Sequence, residues 1–432
     1  MSPGSWALGV ERRWHRVERL KPRRRTRADG VAHTERTDLK VDVAVVGGGL
    51  IGAAAALGVA RSGRSVALVD PASPLAVDWQ PPRLGHDLRN VALGLAAQGL
   101  LEHLGVWASF APTPYAGMRV RDSRGTAMLA FDANELGHPC LGFMLENGPT
   151  VRALWRALPA AGVMLAEGAV RGVATGSEEV RLDLGAKAVC ARLVLVADGA
   201  QSRVRAALGV SATRYPTGHA ALVTVVETAQ PHAGVAHQVF EPEGPVALLP
   251  TATANRVSVV WSQPPQQAER RLQLDDARFA DELATATQHC LGPVVDCDAR
   301  AAFPLEQLLV AGCHPHPRVL IIGDAAHVLH PLAGLGANLG FDDVRTLLAR
   351  LTSLPAGSDP GAPGVWSTFA RRREAQAARM VALMAGLKSV YAAAGPWPQW
   401  MRNTGVRLLG NLGPLRRTLM REAMGIGPLA AI

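Results

Sequence analysis

Uncharged residues run without a break from Val43 to Ala60, and the three glycines Gly47 to Gly49 fall inside that run. A membrane-spanning helix needs ~20 mostly apolar residues, and each interior glycine costs a helix roughly 1 kcal/mol against alanine. Before the glycines, Val43 to Val46 is β-favouring and short enough for one buried strand. After them, Leu50 to Ser62 is alanine-rich and favours helix. The pattern therefore predicts strand, glycine turn and helix, and rejects a membrane span. A second strand is expected from Ser65 to Val69, ending at Asp70.

Two later stretches repeat the motif of a strand closed by glycine and aspartate. Leu193 to Ala197 runs into Asp198-Gly199, followed by a short helix around Arg203 to Leu208. Val319 to Ile322 is closed by Gly323-Asp324, then a Pro/Gly-rich loop from His330 to Gly336. The helix predicted next, from Asn338 to Leu351, places Val344, Leu347, Leu348 and Leu351 on one face. Alternation at 220–227, 237–241, 246–250 and 257–262 predicts antiparallel strands with Pro/Gly turns. An amphipathic helix is expected over residues 369–391.

The spacing Gly47-x-Gly49-x-x-Gly52 carries the first chemistry. The first glycine allows a tight turn, the second lets backbone approach a pyrophosphate, and the third lets helix pack on strand. Amides at a helix start attract phosphate, and an acid at Asp70, some 18 residues on, can accept hydrogen bonds from a ribose. Asp-Gly alone is common at turns. Three such turns after β-rich runs, however, would share the carboxyl edge of one α/β sheet, where ligands bind.

Composition changes this picture little. The 432 residues suffice for two or three domains. The five cysteines (Cys140, Cys190, Cys290, Cys297 and Cys313) form no CxxC pair, so neither a metal site nor a disulfide framework is indicated. The net charge of +9 is concentrated in residues 1–40, where eleven Lys/Arg against five acids give +6. That tail lacks apolar periodicity and no aromatic-interleaved basic patch follows, so nucleic acid is not an expected partner. A disordered arm, a start codon assigned too early and a targeting segment all fit it, the last disfavoured by its acids.

Together with "DLRNVAL" (87–93), "LEHLGVW" (101–107), "LGFMLEN" (141–147) and "GDAAHVLHPLAG" (323–334), these turns resemble the class A flavoprotein monooxygenases with a hydroxybenzoate-hydroxylase-like fold. The chain is most similar there to the aromatic hydroxylases of ubiquinone biosynthesis, over Val41 to about Gly425. The resemblance implies an α/β fold: a doubly wound FAD-binding domain, an inserted antiparallel-sheet substrate domain and a helical C-terminal segment. Expected boundaries are a basic tail at 1–40, the FAD domain at 41–110, 151–210 and 300–353, the substrate domain at 111–150 and 211–299, and the helical segment at 365–432.

Carried over residue by residue, Gly47, Gly49 and Gly52 would meet the FAD pyrophosphate and Asp70 the adenosine ribose. Arg89 would contact FAD, and Asp198-Gly199 would serve both FAD and the reduced nicotinamide. Gly323-Asp324 would hold the ribityl hydroxyls. Pro331, Gly334, Gly336, Ala337 and Asn338 would lie against the isoalloxazine ring, where the positive end of a helix suits reduced flavin. Gly334-Leu335-Gly336 departs from the family's usual Gly-Gln-Gly.

The implied reaction uses NAD(P)H to reduce FAD, then O₂, and passes one oxygen to a polyprenylated phenol through a flavin C4a-hydroperoxide. No acid–base residue is nominated as catalytic, and His327 and His330 read equally well as structural. Two alternatives stand beside this: the same chemistry on another aromatic, or a non-catalytic scaffold in a complex of ubiquinone-biosynthesis enzymes, suggested by Leu335. The expected compartment is the cytoplasm. Arg402, Arg407, Arg416, Arg417 and Arg421 read as a solvated basic face or as contact with the inner membrane's anionic surface.

Overall fold

The computed structural model describes residues 38–124, 128–329 and 335–392, with 417, 418, 420, 421, 424, 426 and 427. The first strand, β1 (Leu39–Val46), leads through the glycine turn into α1 (Leu50–Arg61) and back through β2 (Val66–Asp70). Helix α2 (Asn147–Ala157), β3 (Met164–Glu167) and β4 (Ala188–Val196) follow, and after a long excursion come β5 (Val319–Ile321), α3 (Leu335–Thr352) and α4 (Ser367–Ala392).

The first sheet runs β3-β2-β1-β4, all parallel. One side of β4 is shared: Ala188–Ala191 pairs with the antiparallel strand Val180–Asp183, and Val194–Val196 pairs parallel with β5. Strand side chains alternate between faces. Val43, Val45, Leu68 and Leu195 therefore pack with α1, α2 and α3, while Ala44, Val46, Val69 and Val196 pack with Val204, Val310 and Ala370. Burial on both faces explains why β1 reads as a continuous apolar run. It also begins earlier than expected. Leu39 and Lys40 pair with Val189 and Cys190, and Asp38 forms an ion pair with Arg181, so the basic tail ends before residue 38 rather than at 40.

The second sheet is built on the 17-residue strand Ala212–Thr228. Arg256–Gln263, Gly244–Pro250 and Val235–Glu241 follow it antiparallel on one side, as the alternation predicts, with the last of them in sequence lying next to Ala212–Thr228. Val235–Phe240 then pairs parallel with Gly117–Asp122, an arrangement the alternation gives no hint of. Ala301–Val310 pairs along the other side of Ala212–Val223, so this sheet extends to residue 310 and past the expected boundary at 300. A three-stranded sheet of Asn90–Leu93, Gly142–Glu146 and Thr113–Tyr115 was not anticipated.

One face of the second sheet, with Leu222, Val239, Leu248, Val257, Val259 and Trp261, is sealed by Phe279 and Leu283 of the helix Asp276–Ala286. The alternate residues Ala247, Leu249, Val260 and Ala301 are only half-buried, and Phe303 is 40% exposed. That apolar face turns toward the 90–93 strand, since Asn90 Nδ2 donates to Ser258 Oγ at 3.1 Å.

From the C-terminal segment, Met420 and Met424 are buried beside Leu141 and Leu95, whereas Arg417 and Arg421 are exposed. Arg402, Arg407 and Arg416 lie outside the described residues. Among the described residues no helix is long and apolar enough to cross a membrane.

Candidate functional site

The register brings all three glycine–aspartate turns together. β1, β4 and β5 are consecutive parallel neighbours, so Gly47–Gly49, Asp198-Gly199 and Gly323-Asp324 follow the carboxyl ends of adjacent strands.

The glycines differ in what they must satisfy. Gly47 has φ +101°, and a Cβ there would stand 2.4 Å from the Ala197 carbonyl oxygen. A Cβ on Gly52 would lie 1.8 Å from the Gly47 carbonyl oxygen. Protein packing alone demands these two. A Cβ on Gly49, Gly199 or Gly336 would meet no protein atom within 4 Å. Gly49 caps α1 with an ordinary φ of −68°, so neither strain nor packing requires glycine there. The open space beside it leaves room for a non-protein group.

The surrounding polar groups are arranged to match. The Gly48 amide donates to Asp70 Oδ2 at 2.7 Å and the Ala72 amide to Oδ1 at 3.1 Å, fixing the carboxylate beside the turn. Trp155 Nε1, on α2, donates to the Gly48 carbonyl at 2.6 Å. Trp155→Phe is expected to leave that carbonyl unsatisfied at about 1–3 kcal/mol, read as a lower midpoint in urea denaturation. Asp198 Oδ2 accepts from the Arg203 and Val204 amides at 2.9 and 3.2 Å, while its Oδ1 is buried with no partner among the described residues. An orphaned buried carboxylate oxygen beside the glycine turn suits a ligand hydroxyl or amide.

Asp324 is exposed yet closely surrounded by protein. Burial pushes its acid up from the usual carboxylate range, opposed by the charges of His327 and Arg89. Arg89 is held through its backbone: its amide donates to Asp87 Oδ1 at 3.0 Å and its carbonyl accepts from the Asn147 amide at 2.9 Å. His86 anchors the same segment, bridging Glu146 at 3.1 Å and Thr253 at 3.0 Å.

The ring-side residues need correction. α3 starts at Leu335, three residues before the expected start at Asn338, so Gly336 is helical rather than part of the loop. Ala337 packs against the main core. The Asn338 side chain is engaged elsewhere: Oδ1 accepts from the Gly94 amide and Nδ2 donates to the Ala92 carbonyl, both at 2.8 Å. It fastens α3 to the 90–93 strand. Pro331, Gly334 and His330 lie outside the described residues.

Other residues at the site escaped the sequence reading. Arg205 is buried and donates to the Ala325 carbonyl at 2.7 Å and the Ala200 carbonyl at 3.0 Å, clamping two of the three turns together. Behind the third turn, Asp343 Oδ2 accepts from the Gly323 amide and pairs with His327 Nε2, both at 2.8 Å. Its Oδ1 accepts from Arg373 Nε at 2.5 Å. His327 is buried and bonded to Asp343 through Nε2, while its Nδ1 has no partner among the described residues. Burial alone would raise the Asp343 acid, but Arg373, His327 and the Gly323 amide hold it down at about 2. With an unfolded carboxylate near 4, the stability it contributes is complete above that value and lost as pH falls through about 2. Acid denaturation followed by circular dichroism should steepen in that window and lose the step in Asp343→Asn.

Residues 40–383 match the FAD binding domain family. The chain belongs to that family. Its cofactor is FAD, and the unfilled space at Gly49 and the orphaned Asp198 oxygen agree with this assignment. Among relatives of this FAD-binding protein, the 3-demethoxyubiquinol 3-hydroxylase of Escherichia coli is 31% identical over 90% of this chain and all of its own. The ubiquinone hydroxylase UbiL of Rhodospirillum rubrum is 33% identical, covering 91% of this chain and 92% of its own. The same fold occurs in the p-nitrophenol 4-monooxygenase PnpA of Pseudomonas putida, with a TM-score of 0.71 at 19% identity, over 90% of this chain and 99% of that one. It occurs also in Klebsiella pneumoniae HpxO, crystallised with FAD and uric acid, with a TM-score of 0.67 at 16% identity, over 90% and 98%. Among the described residues no cluster of His, Cys, Asp and Glu could hold a metal ion, and the five cysteines are free.

Proposed function

We propose that this protein is an FAD-dependent monooxygenase that hydroxylates the ring of a polyprenylated phenol in ubiquinone biosynthesis, with NAD(P)H as reductant and O₂ as co-substrate. The observation that carries the reading is the pairing of three strand-end turns with an apolar, half-buried sheet face turned toward the 90–93 strand, to which Asn338 fastens α3. When bound, FAD supplies the oxygen-transfer chemistry.

The chain's own residues bind and enclose. The amides at the start of α1, freed by Gly47, Gly49 and Gly52, receive the pyrophosphate, and Asp70 receives the adenosine ribose. Arg89 and the Asp198-Gly199 turn contact the cofactor, and Asp324 takes the ribityl hydroxyls. Gly323, which lets that turn close, and the first turn of α3 with Gly336, Ala337 and the Asn338 backbone complete the set, together with Pro331 and Gly334. Ala247, Leu249, Val260 and Phe303 form the wall that accepts an apolar ring and tail and keeps water from the reacting carbon. No side chain is assigned proton transfer.

The test is reduced-nicotinamide oxidation by the FAD-loaded protein with prenylated and unprenylated phenols under ¹⁸O₂. Label in the product of the prenylated phenol supports the proposal. Label only with the unprenylated one points to a different aromatic, and no product with either sinks the enzyme reading. Cosedimentation with anionic vesicles at low salt tests attachment at the membrane periphery.

A further inference from the structure

Asp343 and Arg373 are charged residues with only 1% and 5% of their surface exposed. The flavin chemistry uses neither directly. Their geometry links the Gly323–Ala325 turn, the first turns of α3 and the helix α4. Asp343 sits on α3 and takes the Gly323 amide and His327 on one oxygen, and Arg373 on the other. Arg373 reaches across from α4, and also donates to the Leu339 carbonyl at 3.0 Å and to Asp342. Gly323 has φ +60°, a conformation that glycine adopts without steric cost, so the position of the turn is left to its contacts. Within that turn the amide of Gly323 has its acceptor on the buried Asp343, while the next residue, Asp324, is exposed.

We infer that Asp343 is a positioning residue for the cofactor: through the Gly323 amide it sets where Asp324 stands, and Arg373 holds that carboxylate in place from α4. The inference rests on the reading of Asp324 as a ribityl ligand. It makes docking of α4 a condition for tight FAD binding, although α4 presents no residue to the cofactor in this scheme. A lone buried carboxylate could fix the turn only at a high desolvation cost, and the guanidinium removes most of it.

A purely structural ion pair and a positioning one differ when both partners are replaced. Swapping a buried pair for apolar side chains of similar volume often restores stability, yet it cannot return an acceptor to the Gly323 amide. Three variants are compared in the full-length apoprotein: Asp343→Asn, the double variant Asp343→Leu with Arg373→Met, and Asp324→Ala. FAD affinity is read from quenching of flavin fluorescence, apoprotein stability from circular dichroism, and the Gly323 amide from hydrogen exchange.

The double variant is expected to keep an apoprotein melting temperature close to that of wild type while binding FAD roughly tenfold or more weakly. Its bound flavin should also show an altered visible dichroism, which loss of general stability would not produce. FAD affinity within about twofold of wild type in the folded double variant, which alone removes the acceptor of the Gly323 amide, overturns the inference. If that variant does not fold, the wild-type apoprotein decides: protection of the Gly323 amide equal to that of the β1 core supports the inference, and rapid exchange overturns it. Asp324→Ala separates the two readings. Weakened FAD binding there with intact binding in the Asp343 variants overturns the inference alone, and intact binding in all three overturns the ribityl assignment with it.

Discussion

Gly52→Ala is expected to emerge as a poorly stable protein without yellow colour, its FAD affinity reduced on the order of 100-fold or more. The added methyl would stand 1.8 Å from the Gly47 carbonyl oxygen and 3.3 Å from the Ala197 Cβ. The first of these contacts is to backbone, so no rotamer change relieves it, and close-packed interiors transmit such strain. Either α1 retreats from β1 or the turn opens, and both displace the amides that receive phosphate. Gly49→Ala provides the contrast, because a methyl there meets no protein atom within 4 Å. That variant should melt as wild type does and still lose FAD. Absorption spectra after incubation with FAD, alongside thermal denaturation of both apoproteins, check the pair. Retained flavin in Gly49→Ala would show that the pyrophosphate does not approach this residue.

Trp261→Ala carries the largest expected loss of stability, about 3–5 kcal/mol for removal of a buried tryptophan. Trp261 is 2% exposed, 6.5 Å from the Phe279 ring and stacked under the Arg271 guanidinium at 3.8 Å. Its loss leaves a cavity between the second sheet and the helix Asp276–Ala286, and takes from Arg271 a cation–π partner worth roughly 0.5–2 kcal/mol. Arg271 also bonds Glu282 at 3.0 Å, so the ring removal loosens a polar contact as well. Trp261 points away from the apolar face turned to Asn90. The variant should therefore bind FAD with unchanged affinity at low temperature while its urea midpoint falls. A loss of FAD affinity without a shifted midpoint would contradict this division between the two faces.

What the sequence disclosed follows from how far apart the constrained residues lie. The glycine turn, α1 and Asp70 answer to constraints contained within residues 43–70, and spacing alone exposes them. The alternating strands between 220 and 262 were legible because one face is sealed and the other is not. Strand pairing is different in kind. Nothing local says that 235–240 runs parallel to 117–122, or that Ala301–Val310 belongs to the second sheet. Asn338 illustrates a subtler gap: it lies where the motif places it, but its amide reaches the backbone at Ala92 and Gly94, far away in sequence.

The Asp343–Arg373 pair did leave a trace. Asp343 falls four residues after Leu339 and four before Leu347, and Arg373 stands midway between Phe369 and Ala377. Each charge thus lies on the apolar stripe of its own helix, where an isolated charge would be costly. Two such misplaced charges of opposite sign on successive helices are a signal for a buried pair. Only the fold shows that the Gly323 amide shares it.

The division of β4 between an early and a late partner governs how this protein can be made. β1 and β2 leave the ribosome together, but β5 follows the end of β1 by 273 residues. At ~5–20 residues per second that interval lasts roughly 15 to 55 s. Throughout it the nascent chain lacks the Gly323–Ala325 turn and α3, while the uncharged stretch from Val43 to Ala60 has neither its full set of covering helices nor its cofactor. Flavin capture is consequently a late event in biogenesis, and until then the growing chain exposes apolar surface of the kind that promotes aggregation.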